Sequence, residues 1–408
     1  MITRAQIRCS AIPWIASPAL IYTILYVNDS VFVKSSRYAV ESGEAAAYGV
    51  LAITPAVAGA AAWEAGRDRL LGAVRGSAAR GPVRRFLQAA SPVLALQLAL
   101  SLVALFLARI TVGVWPGEAA GLLATAHLVL LPAGWLVIGW TLGILLPRAL
   151  AAPVAAIGCW VWMAVPQSTG NPYIRHLGGA VDVSSNITDI QVSGAYTVPW
   201  LVVAGFALAA VALTGARRRP WQAAVALAVA AVTFLTGRAL VLDWGYQTPF
   251  KPRDVALRCV GAEPRLCVPP EYPGDTAYDR RQLIGPLHEL EAVGVPMPRE
   301  LRVASDELPL GPGVWPLHTA YADDLADAAA VGTAHAHAGP GECRIPGERA
   351  RAWAALVIGL PDPDAQGSLS YDDWTEVQRV RELPAPQQAD WFERAATTGL
   401  RCQKDLVR

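Results

Sequence analysis

Two histidines one residue apart, His335 and His337, have the spacing closest to that of a metal site in this chain of 408 residues. In an extended backbone, residues i and i+2 lie on the same side, and two imidazoles there could bind an ion such as zinc. The competing interpretation is a solvated loop between two helices. We expect the loop and no bound metal, because the ligand spacing of known zinc sites is missing. A site would need one or two additional ligands, for which His318, Asp323 and Asp324 are candidates.

Motifs for phosphate binding and for common hydrolases are missing from the sequence. It contains no GxxxxGK(S/T) loop, no HExxH and no GxSxG. We therefore expect no enzyme activity, no ATPase of its own and no cofactor. Asp362-Pro-Asp364 lacks the oxygen ligands that follow in a calcium loop, and predicts a turn. A net charge of +1 gives no electrostatic footprint for nucleic acid.

The composition requires two unlike parts. The chain is 53% hydrophobic and 16% charged, whereas soluble domains carry about 25% charged residues. Long apolar stretches lie before residue 245, and most acidic residues lie after it. Seven stretches approach the roughly 20 apolar residues that a membrane helix needs. The prediction is a membrane all-α bundle over 1–244 and an α-rich (α+β) domain over 245–408. The predicted spans are 11–28, 45–63, 89–111, 120–146, 149–166, 197–215 and 221–242.

Arginine and lysine in short loops predict the orientation. With the N-terminus inside, the inside loops hold twelve such residues and the short outside loops hold three. Because basic residues favour the cytoplasmic side, we expect a cytoplasmic N-terminus in the cell membrane. An odd number of spans then places residues 245–408 outside the cytoplasm. The inside residues are Arg4, Arg8, Arg67, Arg69, Arg75, Arg80, Arg84, Arg85, Arg148, Arg217, Arg218 and Arg219, and the outside ones are Lys34, Arg37 and Arg175.

Four of the six cysteines lie in the C-terminal part. Outside the cytoplasm such thiols are usually oxidised, and four cysteines allow three pairings. We favour Cys259–Cys267, which closes a short loop, together with Cys343–Cys402, which ties the last helices back.

The C-terminal part alternates proline-rich loops with helical patterns. In the last helix, Trp391, Phe392 and Ala395 recur at helical spacing, and Pro386 stands near its start. Short strands are predicted at 301–303 and 314–315. The predicted helices are 275–293, 319–334, 346–359, 371–382 and 386–399.

Three basic side chains, two arginines and one histidine, fall within the predicted spans, where ionisable groups are costly and are usually functional. Arg109 lies near the outer end of span three, and we expect it to extend to the headgroups. Arg238 lies near the outer end of span seven, where extension to the headgroups or pairing with Asp243 would satisfy it. For His127 in span four, we expect a polar contact between helices, and a proton relay is the alternative.

The basic loop 64–87 is the longest one predicted inside. Its simplest role is topological, with arginines that retain the loop inside and touch anionic lipid. The functional alternative is a docking element for a cytoplasmic partner, built on a helical continuation of span two. The residues of this element are Arg67, Arg69, Leu70, Leu71 and Arg75.

Two segments carry a resemblance to a known family. One is Trp63-Glu-Ala-Gly-Arg67-Asp-Arg69, and the other is Cys259-Val-Gly-(x5)-Cys267-Val-Pro-Pro-Glu271-Tyr272, with a late Leu383-Pro-(x6)-Trp391 helix. The chain resembles actinobacterial membrane proteins related to type 2 ABC exporter permeases that carry an added extracytoplasmic C-terminal domain. It departs from the plain permease pattern by having seven spans instead of six. The resemblance implies a separate cytoplasmic ATPase subunit at loop 64–87, and a homodimer or heterodimer.

Two functional hypotheses follow. The first is a membrane subunit of an ABC-type transport complex, which explains the short loops and the missing catalytic motifs. The second is a membrane-anchored extracytoplasmic sensor or enzyme-like domain with the spans as scaffold, which explains the length of chain outside. The first predicts co-purification with an ATPase, and the second predicts a polar pocket or a metal in 245–408.

Overall fold

The structure is a computed structural model that describes residues 10–29, 37–70, 82–169, 172–181, 187–215, 219–245, 248–253, 255–305, 310–337, 346–367 and 369–398. The chain is mostly helical and divides into two compact units. The first unit holds residues 1–185 and 191–250, and the second holds 186–190 and 251–408. The division therefore falls close to the predicted boundary at 244.

A helix stands at the position of every predicted span. A 3-10 turn, Val165–Ser168, extends α6. The helices of the first unit are α1 Ile12–Asp29, α2 Ala39–Ala47, α3 Val50–Leu70, α4 Pro82–Val112, α5 Glu118–Leu145, α6 Arg148–Ala164, α7 Pro172–Leu177, α8 Gly194–Gly215 and α9 Trp221–Leu240.

Five of these helices, α4, α5, α6, α8 and α9, are individually long and apolar enough to cross a membrane, judged over the described residues. A sixth span results if α2 and α3, bent by 41° at a short break, count as one. Helix α1 is a shorter apolar helix. The first unit is therefore compatible with a multi-pass membrane protein, and the count of seven stays a prediction.

The second span differs from the single straight helix predicted over 45–63. The helical segment begins earlier, at Ala39, and breaks at Tyr48 and Gly49 before α3 continues to Leu70. The Gly49 amide still donates to the Ala46 carbonyl at 3.0 Å, so a tight turn joins the two pieces. The helical segment is thus longer than predicted, and its first part carries acidic residues.

Helices α3 and α5 pack backbone against backbone. A Cβ added at Gly139 would collide with the Ala58 carbonyl oxygen, and one at Gly143 would collide with the Ala62 carbonyl oxygen. Lipid tails are as apolar as leucine, so membrane helices associate through close packing of small residues rather than through hydrophobic burial. The Gly139-xxx-Gly143 spacing in α5 supplies this close approach.

Large apolar side chains cover the exterior of several helices. Leu102 and Phe106 in α4 are exposed, as are Leu227 and Val232 in α9. In water such a surface would drive association, whereas in a bilayer it contacts lipid.

The second unit is built on a mixed sheet. Strand β3 pairs antiparallel with β4, and β4, β5 and β6 are parallel. Helix α10 packs beside β3 and β4, and α11 packs beside β6. Leu266, Leu301 and Trp315 lie opposite one another on neighbouring strands and are buried. The strands are β1 Asp189–Gln191, β2 Phe250–Pro252, β3 Arg258–Val260, β4 Arg265–Val268, β5 Glu300–Val303 and β6 Val314–Leu317, of which β1 and β2 form a separate pair. The helices are α10 Thr276–Ala292, α11 Asp324–Ala336, α12 Glu348–Val357, α13 Asp362–Gln366, α14 Tyr371–Arg381 and α15 Ala385–Thr397.

The elements predicted for this unit are present, with one correction and, besides the short pair β1 and β2, the two added strands β3 and β4. The turn predicted at Asp362-Pro-Asp364 is wrong, because these residues begin the short helix α13. Proline and acidic residues suit the first turn of a helix, where free amides and the dipole favour them. Strands β3 and β4 were not predicted, because three- and four-residue segments do not establish a period.

Substituting Gly143 tests the close packing of α3 on α5. Gly143→Ala should lower the stability of the detergent-solubilised protein by about 1–3 kcal/mol, because the new methyl group forces the two backbones apart. Gly158→Ala in α6 is the matched control, since nothing lies within 4 Å of its added Cβ. Thermal unfolding followed by tryptophan fluorescence measures both, and equal midpoints would refute the close packing.

Candidate functional site

Buried polar side chains in the first unit cluster where α2, α5 and α8 meet. Glu44 of α2 and His127 of α5 are fully buried, and Tyr196 of α8 is 1% exposed. Glu41, one turn before Glu44, is also buried. Burying ionisable groups among apolar helices is costly and marks functional positions, so these residues form the candidate site.

Helix α2 is held in place by a polar bond and a glycine crossing. The Ser42 hydroxyl donates to the Val114 carbonyl at 2.7 Å. Gly43 lies against the backbone of Gly121 in α5, where a Cβ on either residue would collide with the other helix. This close crossing fixes the register of α2, and with it the position of Glu44 one residue later.

Tyr196 connects the carboxylate of α2 to the histidine of α5. Its hydroxyl donates to Glu44 Oε1 at 2.9 Å, and its ring meets His127 edge-on with centroids 5.4 Å apart. A buried carboxylate needs such donors, because no water replaces them. One side chain of α8 thus contacts both neighbouring helices.

Both ring nitrogens of His127 are engaged. Trp200 Nε1 donates to Nδ1 at 2.9 Å, and Nε2 lies 2.8 Å from the Gly179 carbonyl oxygen. An indole N–H can only donate, so Nδ1 is the acceptor and Nε2 carries the proton given to Gly179. This arrangement fixes the neutral ring in one tautomer and leaves no nitrogen for a proton relay. The geometry favours the polar contact between helices over the relay.

Gly179 can present its carbonyl only because it lacks a side chain. Its φ of +79° is a left-handed conformation, and an added Cβ would meet Leu131 and Pro199. Glycine adopts this conformation without strain. The segment after α7 is therefore tied to α5 through His127.

The other two intramembrane candidates lie apart from this cluster. Arg109 is half-buried at the end of α4 and forms no side-chain hydrogen bond or ion pair with the described residues. Arg238 of α9 is exposed, and its guanidinium lies 5.3 Å from the Tyr173 ring centroid. An aromatic ring, rather than the predicted Asp243, is thus its contact among the described side chains.

The described arginines of the predicted docking element face the helices of their own unit. Glu64 accepts a hydrogen bond from the Ala11 amide at 2.8 Å and pairs with Arg67 at 2.6 Å. Arg69 donates to the Ile144 carbonyl at the end of α5, at 2.9 Å. Of the remaining predicted residues, Leu71, Arg75 and the side chain of Leu70 lie outside the described part.

The metal candidates lie on a helix, whereas the metal hypothesis required an extended backbone. His335 is in the last turn of α11 and His337 follows directly. Residues two apart on a helix are related by a rotation of about 200° around its axis, so their side chains point to nearly opposite sides. His337 is already engaged, with Thr333 O 2.9 Å from Nδ1 and Glu393 2.9 Å from Nε2.

The additional ligands proposed for that metal site are also used locally. Asp324 accepts a hydrogen bond from the Thr319 hydroxyl at 2.7 Å, and burial raises the pKa of its carboxyl. His318 Nε2 lies 3.6 Å from Asp327. Within the described ranges, no group of three or more His, Cys, Asp or Glu side chains could hold a metal ion.

Cys259 and Cys267 lie directly opposite each other on β3 and β4 and form a disulfide. Their pairing is the one favoured from the sequence. Cys343 and Cys402 lie outside the described residues, so their pairing stays a prediction.

Ion pairs in the second unit stabilise its sheet and the segments beside it. Buried Glu300 accepts hydrogen bonds from Arg265 and Arg302, each at 2.6 Å. Arg253 forms two hydrogen bonds to Glu271 and thereby lowers the pKa of that carboxyl. Every one of these charges has a partner within the unit, which identifies them as structural.

Glu41 and Glu44 are the site residues that sequence reasoning missed. They stand immediately before residue 45, where the predicted second span began, so trimming to the most apolar part excluded them. A signal was available, since the alanine-rich run that follows them continues the same helical pattern.

The comparisons with known proteins concern the second unit. Residues 266–402 match a family model described as a domain of unknown function, DUF7224. No curated protein and no solved structure matches the chain. The match thus covers part of the second unit and assigns it no activity.

Replacing Trp200 by phenylalanine tests the bond that fixes His127. Trp200→Phe keeps an aromatic ring but removes the N–H, which leaves Nδ1 of His127 without its donor. The expected loss is about 1–3 kcal/mol of stability, measured as a lower unfolding midpoint in detergent. Trp221→Phe, at an exposed position of α9, is the control. Equal midpoints for both variants would contradict the proposed bond.

Proposed function

We propose that this chain is a membrane subunit of an ABC-type transport complex, with no ATPase of its own. Its N-terminus would be cytoplasmic, its second unit extracytoplasmic, and loop 64–87 would dock a separate ATPase subunit. Transport through two such subunits implies a homodimer or heterodimer in the cell membrane.

The main support for the proposal is that α3 runs without a break from the predicted docking loop to the bend next to Glu44. Over its 21 residues, α3 extends about 31 Å at 1.5 Å per residue. One end leads into the predicted docking loop, and the other begins at the bend that follows Glu44. A rigid helix of this length can transmit a displacement of the loop to the buried carboxylates.

The attachments at the loop end of α3 support the same role. Glu64 accepts a hydrogen bond from the Ala11 amide, directly before α1, and Arg69 donates to the Ile144 carbonyl near the end of α5. Force applied at residues 70 and beyond would therefore reach three helices together. Discontinuous membrane helices frequently form the substrate sites of transporters, and the break between α2 and α3 lies beside the Glu44–Tyr196–His127 cluster.

The docking prediction is tested by placing charge at the apolar pair. Leu70→Asp combined with Leu71→Asp retains every arginine, and hence the topology signal, but removes the apolar anchor. Affinity purification followed by mass spectrometry should find an ATPase with the unaltered protein and lose it with this variant. Trp221→Asp, at the exposed first residue of α9 and outside loop 64–87, should retain it. Absence of any ATPase from the unaltered protein would remove the main support for transport.

The orientation has its own test. A reporter that is active only in the cytoplasm, fused after residue 408, should give no signal, because an odd number of spans from a cytoplasmic N-terminus ends outside. The same reporter fused before residue 1 should be active. A strong signal from the C-terminal fusion would reverse the topology.

A specific observation also favours the second candidate, a membrane-anchored extracytoplasmic sensor or enzyme-like domain. The second unit has its own sheet and helices, and the family match is confined to it. A module recognised independently of the spans could act by itself, with the spans as scaffold. That role predicts a ligand for the isolated unit and no associated ATPase.

A further inference from the structure

Arg148 is held in an unusual state at the turn between α5 and α6. Its guanidinium carbon lies 3.8 Å from the centroid of the Trp63 ring, which is a close cation–π stack. Its Nε is buried and has no hydrogen-bond partner in the described part of the chain. No described carboxylate pairs with it either, in contrast to Arg67 beside Glu64. The guanidinium is therefore positioned by an aromatic face, without an ion pair to a described carboxylate.

Gly66 allows this position. A Cβ added at Gly66 would lie 2.9 Å from Arg148 Cγ and 3.0 Å from its Cβ. The aliphatic part of the Arg148 side chain thus packs on α3 at Gly66, one turn after Trp63, whose ring contacts the guanidinium. Two helices cooperate to orient one side chain, which reduces the entropy lost when it binds a ligand.

The surroundings of Arg148 favour an anion. Helix α6 begins at Arg148, with no side chain capping its first turn, and the free amides of a helix N-terminus attract negative charge. Arg69, one turn after Gly66 on α3, adds a second positive charge at the same end of that helix, where it donates to the Ile144 carbonyl. A planar guanidinium presents paired donors that match the oxygens of a phosphate.

The position along α6 indicates where that phosphate comes from. Directly after Arg148, the outer face of the helix becomes apolar and open. Leu150, Val154 and Ile157 are 57%, 48% and 62% exposed, and their spacing places them on one face. An acyl chain that follows this face would bring its headgroup to the start of the helix, where Arg148 lies.

The geometry points to a binding site for the phosphate of an anionic phospholipid, formed by Arg148 on the Trp63 ring, with Arg69 beside it. The site lies at the end of the helices predicted to be cytoplasmic. The inference rests on the membrane assignment of the first unit, and it is independent of any ATPase partner.

Titration of the purified full-length protein with phosphatidylglycerol, followed by native mass spectrometry, tests the site. Arg148→Gln and Trp63→Leu should each weaken lipid binding about tenfold, because each removes the oriented charge-assisted hydrogen bonds. Arg148→Lys should give an intermediate loss, since it keeps the charge but not the planar fork. Arg84→Gln removes one exposed arginine of the same predicted side and should bind as the unaltered protein does.

Further measurements distinguish a lipid phosphate from free phosphate and from a protein partner. Phosphatidylcholine, with its neutral headgroup, should bind weakly to every variant, and inorganic phosphate should not raise the unfolding midpoint. Unfolding midpoints without lipid show whether each variant is folded, and Arg148→Lys provides a second folded comparison. Equal losses of lipid binding in Arg84→Gln and Arg148→Gln would indicate attraction by the overall positive charge, and would refute a specific site at Arg148. Loss of a co-purifying acidic protein, with lipid binding unchanged, would assign Arg148 to a protein partner instead.

Discussion

Backbone contact between α3 and α5 is the constraint on which the first unit depends. Apolar helices in a bilayer gain little from burying one another, so association requires surfaces that fit closely. Glycines 139 and 143 remove the side chains that would hold the helices apart, and the alanine carbonyls of α3 fill the space. Once α3 is fixed on α5, the attachments at its two ends follow. One end joins α1 and the last turn of α5, and the other leads through the bend to α2.

Hydrogen bonds between buried polar groups then fix the relative positions of helices that close packing alone does not determine. Glu44, Tyr196 and His127 join three helices through hydrogen bonds in a region that excludes water, where an unmade bond is costly. His127 uses both nitrogens to hold Trp200 and the Gly179 carbonyl, and this geometry favours a positioning role over a proton relay. At the opposite end of α3, Glu64 and Arg67 neutralise each other beside Arg148, whose charge is unmatched among the described groups.

The two units are stabilised in different ways. The first is held by small residues and a few buried polar bonds, with large apolar side chains outside. The second has an ordinary core, with Leu266, Leu301 and Trp315 buried beneath helices and a disulfide between its first two sheet strands. A family match confined to the second unit is consistent with a module that is recognised without the spans. Transport and scaffolded binding therefore differ in which unit carries the activity.

The sequence by itself determined the apolar helices and the Cys259–Cys267 pair, because these depend on composition and on neighbours along the chain. It also determined most helices of the second unit, whose periodicity is local. The bend at Tyr48, the strands β3 and β4, and the burial of Glu44 were decided only by the tertiary structure. Burying a glutamate is costly unless a hydrogen-bond donor faces its carboxylate. The donor to Glu44 is Tyr196, which lies 152 residues away along the chain. Likewise, the isolated Arg148 of the sequence becomes a candidate site only where the ring of Trp63 and the bare backbone of Gly66 meet it.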